Sequence, residues 1–177
     1  AKTVGTQSDD TLCVKAYFDG KPMGSATTKM ASATAVMELE LAEAHLWECG
    51  NGRLYDVTIK YGDDVVNSYF GLREVRYDGM KFMLNDECVY QRLVLDQGFY
   101  PDGIYTAPTD AALVKDIEYS MNLGFNGARL HEKVFEPRFL YWADKLGYLV
   151  WGEHANWGLD VTEMRQIEYF LQEWIEA

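Results

Sequence analysis

Positive charge is scarce in this sequence. Its 177 residues include 16 lysines and arginines against 28 aspartates and glutamates, which gives a formal net charge of -12. Because phosphate backbones are bound by clustered cations, this balance argues against a nucleic-acid partner. A neutral small molecule or another protein is the more suitable partner.

Long apolar runs are lacking as well. No uncharged stretch approaches the roughly 18 residues that cross a bilayer. The first ten residues, AKTVGTQSDD, contain no basic region followed by an apolar segment. We therefore expect no membrane partner, while the frequent apolar and aromatic residues are sufficient for a buried core.

Cysteine is rare, and its spacing excludes the common cysteine-based sites. Cys13, Cys49 and Cys88 are odd in number, far apart and without a C-x-x-C pair. This pattern predicts three free, partly buried thiols and no cysteine-bound metal. It favours a reducing compartment such as the cytoplasm, and no cofactor is expected.

The first part of the chain alternates between apolar and polar residues. Period-two segments cover residues 12–18, 37–41 and 55–61, and Asp19-Gly20 is a dipeptide typical of two-residue hairpins. We predict an immunoglobulin-like β-sandwich over residues 1–71. Since such a domain has about seven strands and fewer are visible, the sandwich is expected to be incomplete at its N-terminus.

The period changes further along the chain. Asp78-Gly79 and Asn85-Asp86 predict two more turns, and after Cys88 apolar strands alternate with helical patterns. The predicted strands are VYQRLVLD, NGARLH and YLVWGE; the predicted helices run from the N-cap Thr109 to Gly124, from Pro137 to Gly147, and onward from Thr162. This βαβαβα order predicts a parallel sheet within residues 72–177.

Each predicted helix has one apolar stripe for burial. The stripes are Leu113, Ile117 and Met121; Phe139, Leu140, Ala143 and Leu146; and Ile167, Phe170, Leu171, Trp174 and Ile175. Strands covered on both sides must be apolar throughout, so the first polar residues after each strand mark the C-terminal edge of the sheet. Ligands bind at that edge in open α/β sheets and in barrels.

Polar and aromatic side chains collect at this edge. The candidates are Asp96, Gln97, Arg129, His131, Glu132, Glu153, His154, Asn156 and Trp157, with Phe99, Tyr100, Tyr105 and Phe135 in the same loops. Arg129 lies in an apolar strand and should pair with a carboxylate, either Glu153 or Asp96. Carboxylates beside aromatic rings suit a sugar site, because rings stack on pyranose faces and carboxylates accept hydroxyl hydrogen bonds.

Plainer alternatives exist for these residues. His131 can simply end its strand, His154 can be an ordinary loop residue, and Trp157 can cover the top of a core. Another functional possibility, besides the sugar site, is a metal site made of His131, Glu132, Glu153 and His154. Adjacent residues of an extended backbone point to opposite sides, however, which makes joint ligation by Glu153 and His154 awkward.

Two long segments resemble a known family. HLWECGNGRLYDVTIKYGDDVVNSYFGLREV is similar to the end of the immunoglobulin-like sandwich domain of family 2 glycoside hydrolases, the β-galactosidase, β-glucuronidase and β-mannosidase type. The segment from FMLNDECVYQRLVLD to GYLVWGE resembles the opening of that family's (β/α)8 TIM-barrel catalytic domain. The resemblance extends from about Leu46 to the end of the chain.

The resemblance implies roles for some of the candidate residues. The family's first barrel strand falls on Arg92 to Asp96 and Gln97, its Asn-x-x-Arg strand on Asn126, Arg129 and His131, and its next strand on Glu153. Such positions line the sugar subsite or support the catalytic groups. Together with Asn156 and Trp157 they form the predicted substrate-binding or supporting set, and no metal ligand is predicted.

The family's catalytic pair has no counterpart here. That pair consists of a glutamate in an Asn-Glu dipeptide and a second, later glutamate, and this sequence contains no Asn-Glu dipeptide. The chain also has Leu-Asp-Gln-Gly where better-known members have Asn-Arg-His-Glu, so lactose-type specificity is not implied. A full barrel needs about 250 residues, and we expect the chain to be an internal piece without catalytic residues.

The sequence therefore predicts part of a retaining β-glycoside hydrolase that acts on a carbohydrate substrate and is inactive by itself. The alternative is a non-catalytic carbohydrate-binding or interaction module, with a metal-dependent hydrolase as a further possibility. An incomplete barrel has unpaired edges, so self-association is also expected.

Overall fold

The structure is a computed structural model that describes residues 10–160 and 162–176. The described residues form ten strands and three helices. They divide into two compact units, one made of residues up to 47 together with 53–74, the other of 48–52 together with 75 onward. None of the described helices has the length and apolar character needed to cross a membrane.

The first unit contains one four-stranded antiparallel sheet among its described residues. Its strands are β1 (Thr11–Phe18), β2 (Lys21–Lys29), β3 (Tyr55–Tyr61) and β4 (Asp64–Phe70), in the spatial order β2-β1-β3-β4. Asp19 and Gly20 both have positive φ, 49° and 76°, which confirms the predicted hairpin. This arrangement is consistent with part of a sandwich domain.

The core of the first unit lies on one face of this sheet. Its buried side chains are Leu12, Ala16, Met23, Met30, Trp47, Tyr55 and Val57. The Tyr55 hydroxyl donates to the carbonyl of Glu43 at 2.7 Å and accepts from the backbone N–H of His45 at 2.7 Å. These two bonds fix the segment that leads to Trp47.

The strand predicted at residues 37–41 is absent from the described structure. The burial of these residues does alternate, but they form no strand ladder. The backbone N–H of Ala42 donates to the Met23 carbonyl at 2.7 Å and joins the end of the segment to β2. Its alternation comes from packing beside β2, where the Glu40 carbonyl approaches Gly24 too closely for any Cβ.

The second unit begins with a small antiparallel sheet. It consists of β5 (Val75–Asp78), β6 (Lys81–Leu84) and β7 (Glu87–Cys88). Both predicted turns are present: Gly79 has φ 58°, and Asn85 and Asp86 have φ 50° and 66°. Arg76 donates to the Asp86 carboxylate at 2.9 Å and ties the second turn to β5.

The βαβαβα order predicted for the second unit is confirmed. Its elements are β8 (Leu93–Asp96), α1 (Asp110–Asn122), β9 (Gly127–Leu130), α2 (Pro137–Leu146), β10 (Leu149–Trp151) and α3 (Met164–Glu176). The three strands are parallel, and β9 lies between β10 and β8.

Local sequence sets the ends of α1 and α2. The Thr109 side chain accepts the N–H of Ala112 at 3.2 Å, which is an N-cap, and Gly124 follows the C-cap with φ 90°. Pro137 occupies the first turn of α2, and Gly147 ends that helix in the left-handed region with φ 75°. These four predicted boundaries are confirmed.

Fewer residues of the helices are buried than the sequence predicted. Leu113 and Ile117 of α1, and Phe139 and Ala143 of α2, belong to the core. Leu140 was predicted to join them but is 39% exposed, since it follows Phe139 by about 100° around the helix. The predicted stripe of α3 contains no buried residue among those described.

The parallel sheet has one covered face and one open face. Val94, Ala128 and Val150 lie on the face that packs against the core of the unit. The neighbouring row across the strands consists of Leu95, Arg129 and Trp151. Leu95 is 54% exposed, the side chain of Arg129 is 48% exposed, and Trp151 is 43% exposed. In the described part of the chain the strands are therefore not covered on both sides, as the sequence had suggested.

The cysteines are free, as predicted. Cys13 and Cys49 are partly buried, and burial raises the pKa of the Cys49 thiol. Cys88 is exposed, because it lies on the two-residue edge strand β7, and the expectation of partial burial is wrong there.

Candidate functional site

The candidate site lies at the C-terminal ends of the three parallel strands. The register places Leu95, Arg129 and Trp151 side by side, at the last position of β10 and one position before the ends of β8 and β9. The His131 N–H donates to the Asp96 carbonyl at 2.8 Å and extends the pairing of β8 and β9 by one step. The residues that follow each strand are thereby held at one edge of the sheet.

An ion pair between Arg129 and Glu153 occupies this edge. The guanidinium Nε and one Nη donate to the two carboxylate oxygens, the second at 3.3 Å. Of the two carboxylates that the sequence offered as partners, the structure pairs Arg129 with Glu153. The hydrogen bonds from Arg129 lower the pKa of Glu153, and a backbone bond from the Glu132 N–H at 3.2 Å acts in the same direction.

Asp96 belongs to the other face of the sheet. It follows Val94 in the alternation of β8 and is half-buried on the helix-covered side. One of its carboxylate oxygens accepts the N–H of Gly98 at 2.8 Å. Burial raises the pKa of Asp96. Asp96 therefore shapes the turn after β8 and does not contact Arg129.

Gln97, His131 and Trp157 form a chain of contacts. The Gln97 side-chain nitrogen lies 3.0 Å from His131 Nδ1, which accepts this bond in the matching tautomer. The ring of His131 meets Trp157 edge to face, with centroids 5.9 Å apart at 88°. Trp157 is 81% exposed. Its indole is therefore open to a flat apolar ligand, and the alternative in which it covers a core does not apply.

The loop after β10 is fixed by Glu132. One Glu132 carboxylate oxygen accepts the backbone N–H groups of Asn156 at 2.8 Å and Trp157 at 3.2 Å. The sequence indicated Glu132 as a candidate at the sheet edge and as a possible metal ligand, but not as a residue that fixes this loop. This role was missed because it depends on backbone groups 24 and 25 residues away, to which no sequence pattern points.

The metal set considered from the sequence is brought together only in part. His131, Glu132 and Glu153 have potential ligand atoms within 4.8 Å of one another. His154 is turned away: its ring meets those of Phe170 and Trp174 in α3 at 4.9 and 5.5 Å. The three remaining groups already have hydrogen-bond partners, and Arg129 brings its own positive charge to Glu153.

A second structural residue follows Glu132. The Lys133 ammonium donates to the carbonyls of Gly98 and Tyr105, both at 2.8 Å. It also lies over the rings of Tyr105 and Phe135, at 5.2 and 4.9 Å. Burial lowers the pKa of Lys133. No sequence pattern indicates this role of Lys133, because a lysine in a loop is ordinarily a solvated surface residue.

The aromatic residues of the loops divide into two groups. Phe99 and Tyr105 are exposed and contact each other at 4.8 Å, whereas Tyr100 is half-buried. Phe135 is buried in the core against Phe139, so its assignment to the ligand-facing aromatic group is wrong. A cleft of about 310 Å³ lies beside Trp157, between the loop after β10 and α3.

The chain is similar in sequence to parts of two curated glycosidases. No family model matches the chain. A curated β-glucuronidase of Streptococcus agalactiae is 28% identical over 138 residues, which is 74% of this chain and 22% of that protein. A β-galactosidase of Staphylococcus xylosus is 27% identical over 127 residues, 71% of this chain and 13% of that protein.

Solved structures with the same fold include the β-glucuronidase of Ruminococcus gnavus. One has a TM-score of 0.73 at 24% identity and covers 85% of this chain and 25% of that one. Another, the same enzyme in complex with D-glucuronic acid, has a TM-score of 0.72 and covers 82% and 25%.

In sequence and in fold the chain is thus similar to a segment of the family 2 glycoside hydrolases. The resemblance inferred from its motifs is confirmed. The relatives are a β-glucuronidase and a β-galactosidase, and the chain spans about a quarter of their length or less.

Proposed function

We propose that the chain is part of a retaining β-glycoside hydrolase, in which it supplies one side of the sugar site. The observation that carries this proposal is the Arg129–Glu153 pair at the C-terminal edge of the parallel sheet, with His131 and the exposed Trp157 beside it. An ionised carboxylate next to an exposed aromatic face is an arrangement suited to a pyranose ring.

The proposed architecture is an incomplete sandwich over residues 1–71 and the opening of a (β/α)8 barrel over residues 72–177. The open row of Leu95, Arg129 and Trp151 supports the second part, because in a closed barrel that face would be the interior. The short segment 48–52 packs with the second unit.

The side chains suggest distinct roles. Glu153 is held ionised by Arg129 and would accept hydrogen bonds from sugar hydroxyls. Trp157 would stack on the sugar ring, and the Gln97–His131 pair would donate to it. Asp96 and Asn156 would support the loops that carry these groups.

The chemistry itself requires groups from the rest of the proposed parent polypeptide. Retaining hydrolysis uses two carboxylates about 5 Å apart, one as nucleophile and one as acid and base. Glu153 is engaged by Arg129, and the sequence has no Asn-Glu dipeptide for the acid/base. The proposal therefore assigns no catalytic residue to this chain.

The substrate class follows from the relatives' names alone. They are a β-glucuronidase and a β-galactosidase, so the proposed substrates are β-linked glycosides, with the sugar to be chosen by experiment. A uronic acid would require a further cation near the ring, and Arg129 is already neutralised by Glu153.

The role of the site is tested by replacing Trp157 in the parent polypeptide. With loss of the stacking ring, we expect Trp157→Ala to lower kcat/KM for the preferred chromogenic β-glycoside by about tenfold or more. Trp174→Ala in α3 is the matched control, because that indole is also partly exposed but contacts His154. An equal effect of both variants would contradict the assignment.

The same assay separates the remaining functions. A parent that binds β-glycosides without turnover would support the carbohydrate-binding module. Turnover abolished by a chelator would support a metal site at His131, Glu132 and Glu153, for which their proximity is the favourable observation.

A further inference from the structure

Two consecutive residues of opposite charge follow the central strand of the parallel sheet. Glu132 and Lys133 come directly after β9 and His131. The loop after β8, residues 97–106, lies on one side of them, and the loop after β10, residues 154–159, lies on the other. Each of the two side chains contacts the backbone of one loop.

Glu132 contacts the loop after β10. Its carboxylate accepts the N–H groups of Asn156 and Trp157 through one oxygen, at 2.8 and 3.2 Å. Its backbone adopts φ 55°, a conformation that L residues seldom adopt, and its N–H donates to Glu153 at 3.2 Å. The same residue therefore supports both Glu153 and the backbone that carries Trp157.

Lys133 contacts the loop after β8. Its ammonium donates to the carbonyls of Gly98 and Tyr105, which lie near the two ends of that loop. Gly98 is buried with φ 60°, and a Cβ there would come within 2.9 Å of Lys133 Nζ and 2.7 Å of the Phe135 ring. The loop thus passes close over the ammonium group.

The chemistry of the two side chains fits what each loop presents. A carboxylate only accepts hydrogen bonds, and the loop after β10 presents two N–H groups. An ammonium only donates, and the loop after β8 presents two carbonyls. The order Glu-Lys is therefore matched to the loops on either side of it.

We propose that Glu132 and Lys133 act as a two-sided clamp that positions both loops of the candidate sugar site independently of each other. Their value for sugar binding rests on the proposed function, whereas the clamp itself is a property of this chain. Both are positioning residues, since neither is assigned a contact with substrate.

Amide hydrogen exchange of the 177-residue chain, followed by NMR, tests the clamp without any need for activity. In Glu132→Ala we expect the amides of Asn156 and Trp157 to exchange roughly tenfold faster. In the loop after β8, the N–H groups of Tyr100 and Ile104 each donate to the other residue's carbonyl at 2.9 Å, and their exchange rates should be unchanged. Lys133→Met keeps the apolar stem and should give the reverse pattern.

Conservative and exchanged variants make the test specific. Glu132→Gln retains an acceptor and should restore most of the protection of Asn156 and Trp157, whereas Glu132→Met fills a similar volume without an acceptor and should not. The double variant Glu132→Lys with Lys133→Glu preserves the net charge but reverses donors and acceptors, so both loops should lose protection.

Equal responses of both loops to each single variant, or no response in either, would overturn the clamp. If Glu132→Ala fails to fold, Glu132→Met, which keeps an apolar stem and removes the acceptor, takes its place in the comparison with Lys133→Met. A clamp confirmed by exchange, with a parent inactive on every β-glycoside, would leave the clamp standing and remove the proposed function.

Discussion

At the scale of single residues, the site contains two carboxylates, Glu153 and Asp96, in different surroundings. Glu153 has a guanidinium and a backbone N–H as partners, which lower its pKa, whereas burial raises the pKa of Asp96. They lie on opposite faces of the sheet although both stand at the C-terminal ends of parallel strands. Glu153 is therefore suited to bind a hydroxyl as an anion, and Asp96 to form the turn after β8.

The raised pKa of Asp96 gives a prediction about stability. At pH values above the pKa of Asp96 in the folded state, this carboxylate is a partly buried charge and lowers the free energy of unfolding. This destabilisation disappears as the pH falls through the raised pKa of the folded state towards the ordinary value of 3.8. Asparagine retains an acceptor for the Gly98 N–H. We expect Asp96→Asn to raise the thermal midpoint at neutral pH, and the gain to shrink on acidification.

Circular dichroism melts at neutral pH and below pH 3.8 measure this difference. Asp102→Asn, at an exposed position of the same loop, is the control for removing one negative charge. A variant at Asp96 that is less stable than the unmodified chain at neutral pH would show that the ionised carboxylate stabilises the turn.

Most of these residues could be located from the sequence but, apart from the pairing of Arg129 with a carboxylate, their partners could not. Asp96, Arg129 and Glu153 could be placed at the sheet edge, because apolar strands end visibly and parallel strands end together. The loop contacts of Glu132 and Lys133 could not be predicted, because their partners are backbone atoms of loops whose course no local sequence pattern indicates.

At the scale of elements, residues with a specific local chemistry predicted the helix ends correctly. Thr109, Pro137 and Gly147 set helix ends through a side-chain bond, a fixed φ and a left-handed conformation. The alternation at residues 37–41 failed as a strand signal, because packing beside a sheet produces the same period as pairing within it.

Gly147 and Gly124 provide a matched pair for the second unit. Both have positive φ, but a Cβ at Gly124 meets open space, whereas at Gly147 it would lie 2.4 Å from Asn51 N and 2.6 Å from Glu48 O. We expect Gly124→Ala to lower the free energy of unfolding by about 1 kcal/mol. Gly147→Ala should cost at least about 3 kcal/mol, since backbone must also move.

Urea denaturation of both variants measures these costs. The Gly50 N–H donates to the Gly147 carbonyl at 2.8 Å, so displacement of residues 48–52 should accompany the larger loss. Equal costs at the two glycines would mean that segment 48–52 adjusts freely to α2.

At the scale of the whole molecule, the open face of the parallel sheet is the main physical liability. Leu95 and Trp151 expose large apolar surfaces on either side of Arg129, and in the described part of the chain β8 and β10 are edge strands. Unpaired strand edges and exposed apolar rows favour association with another chain.

We therefore expect the 177-residue chain to self-associate with rising concentration in sedimentation velocity experiments. Leu95→Lys should reduce this association, because it replaces one of the two apolar side chains of the row with a charged one. Val66→Lys, at an exposed position of β4 in the first unit, is the control. A chain that stays monomeric at all concentrations would contradict the expectation.

We propose that this chain supplies part of a β-glycosidase sugar site and no catalytic residue. The most direct measurement is hydrolysis of a panel of chromogenic β-glycosides, including a glucuronide and a galactoside, by the 177-residue chain and by the parent polypeptide, with and without chelator. We expect no turnover by the chain and chelator-insensitive turnover by the parent. Turnover by the chain itself, or a folded parent inactive on every sugar, would show the proposal to be wrong.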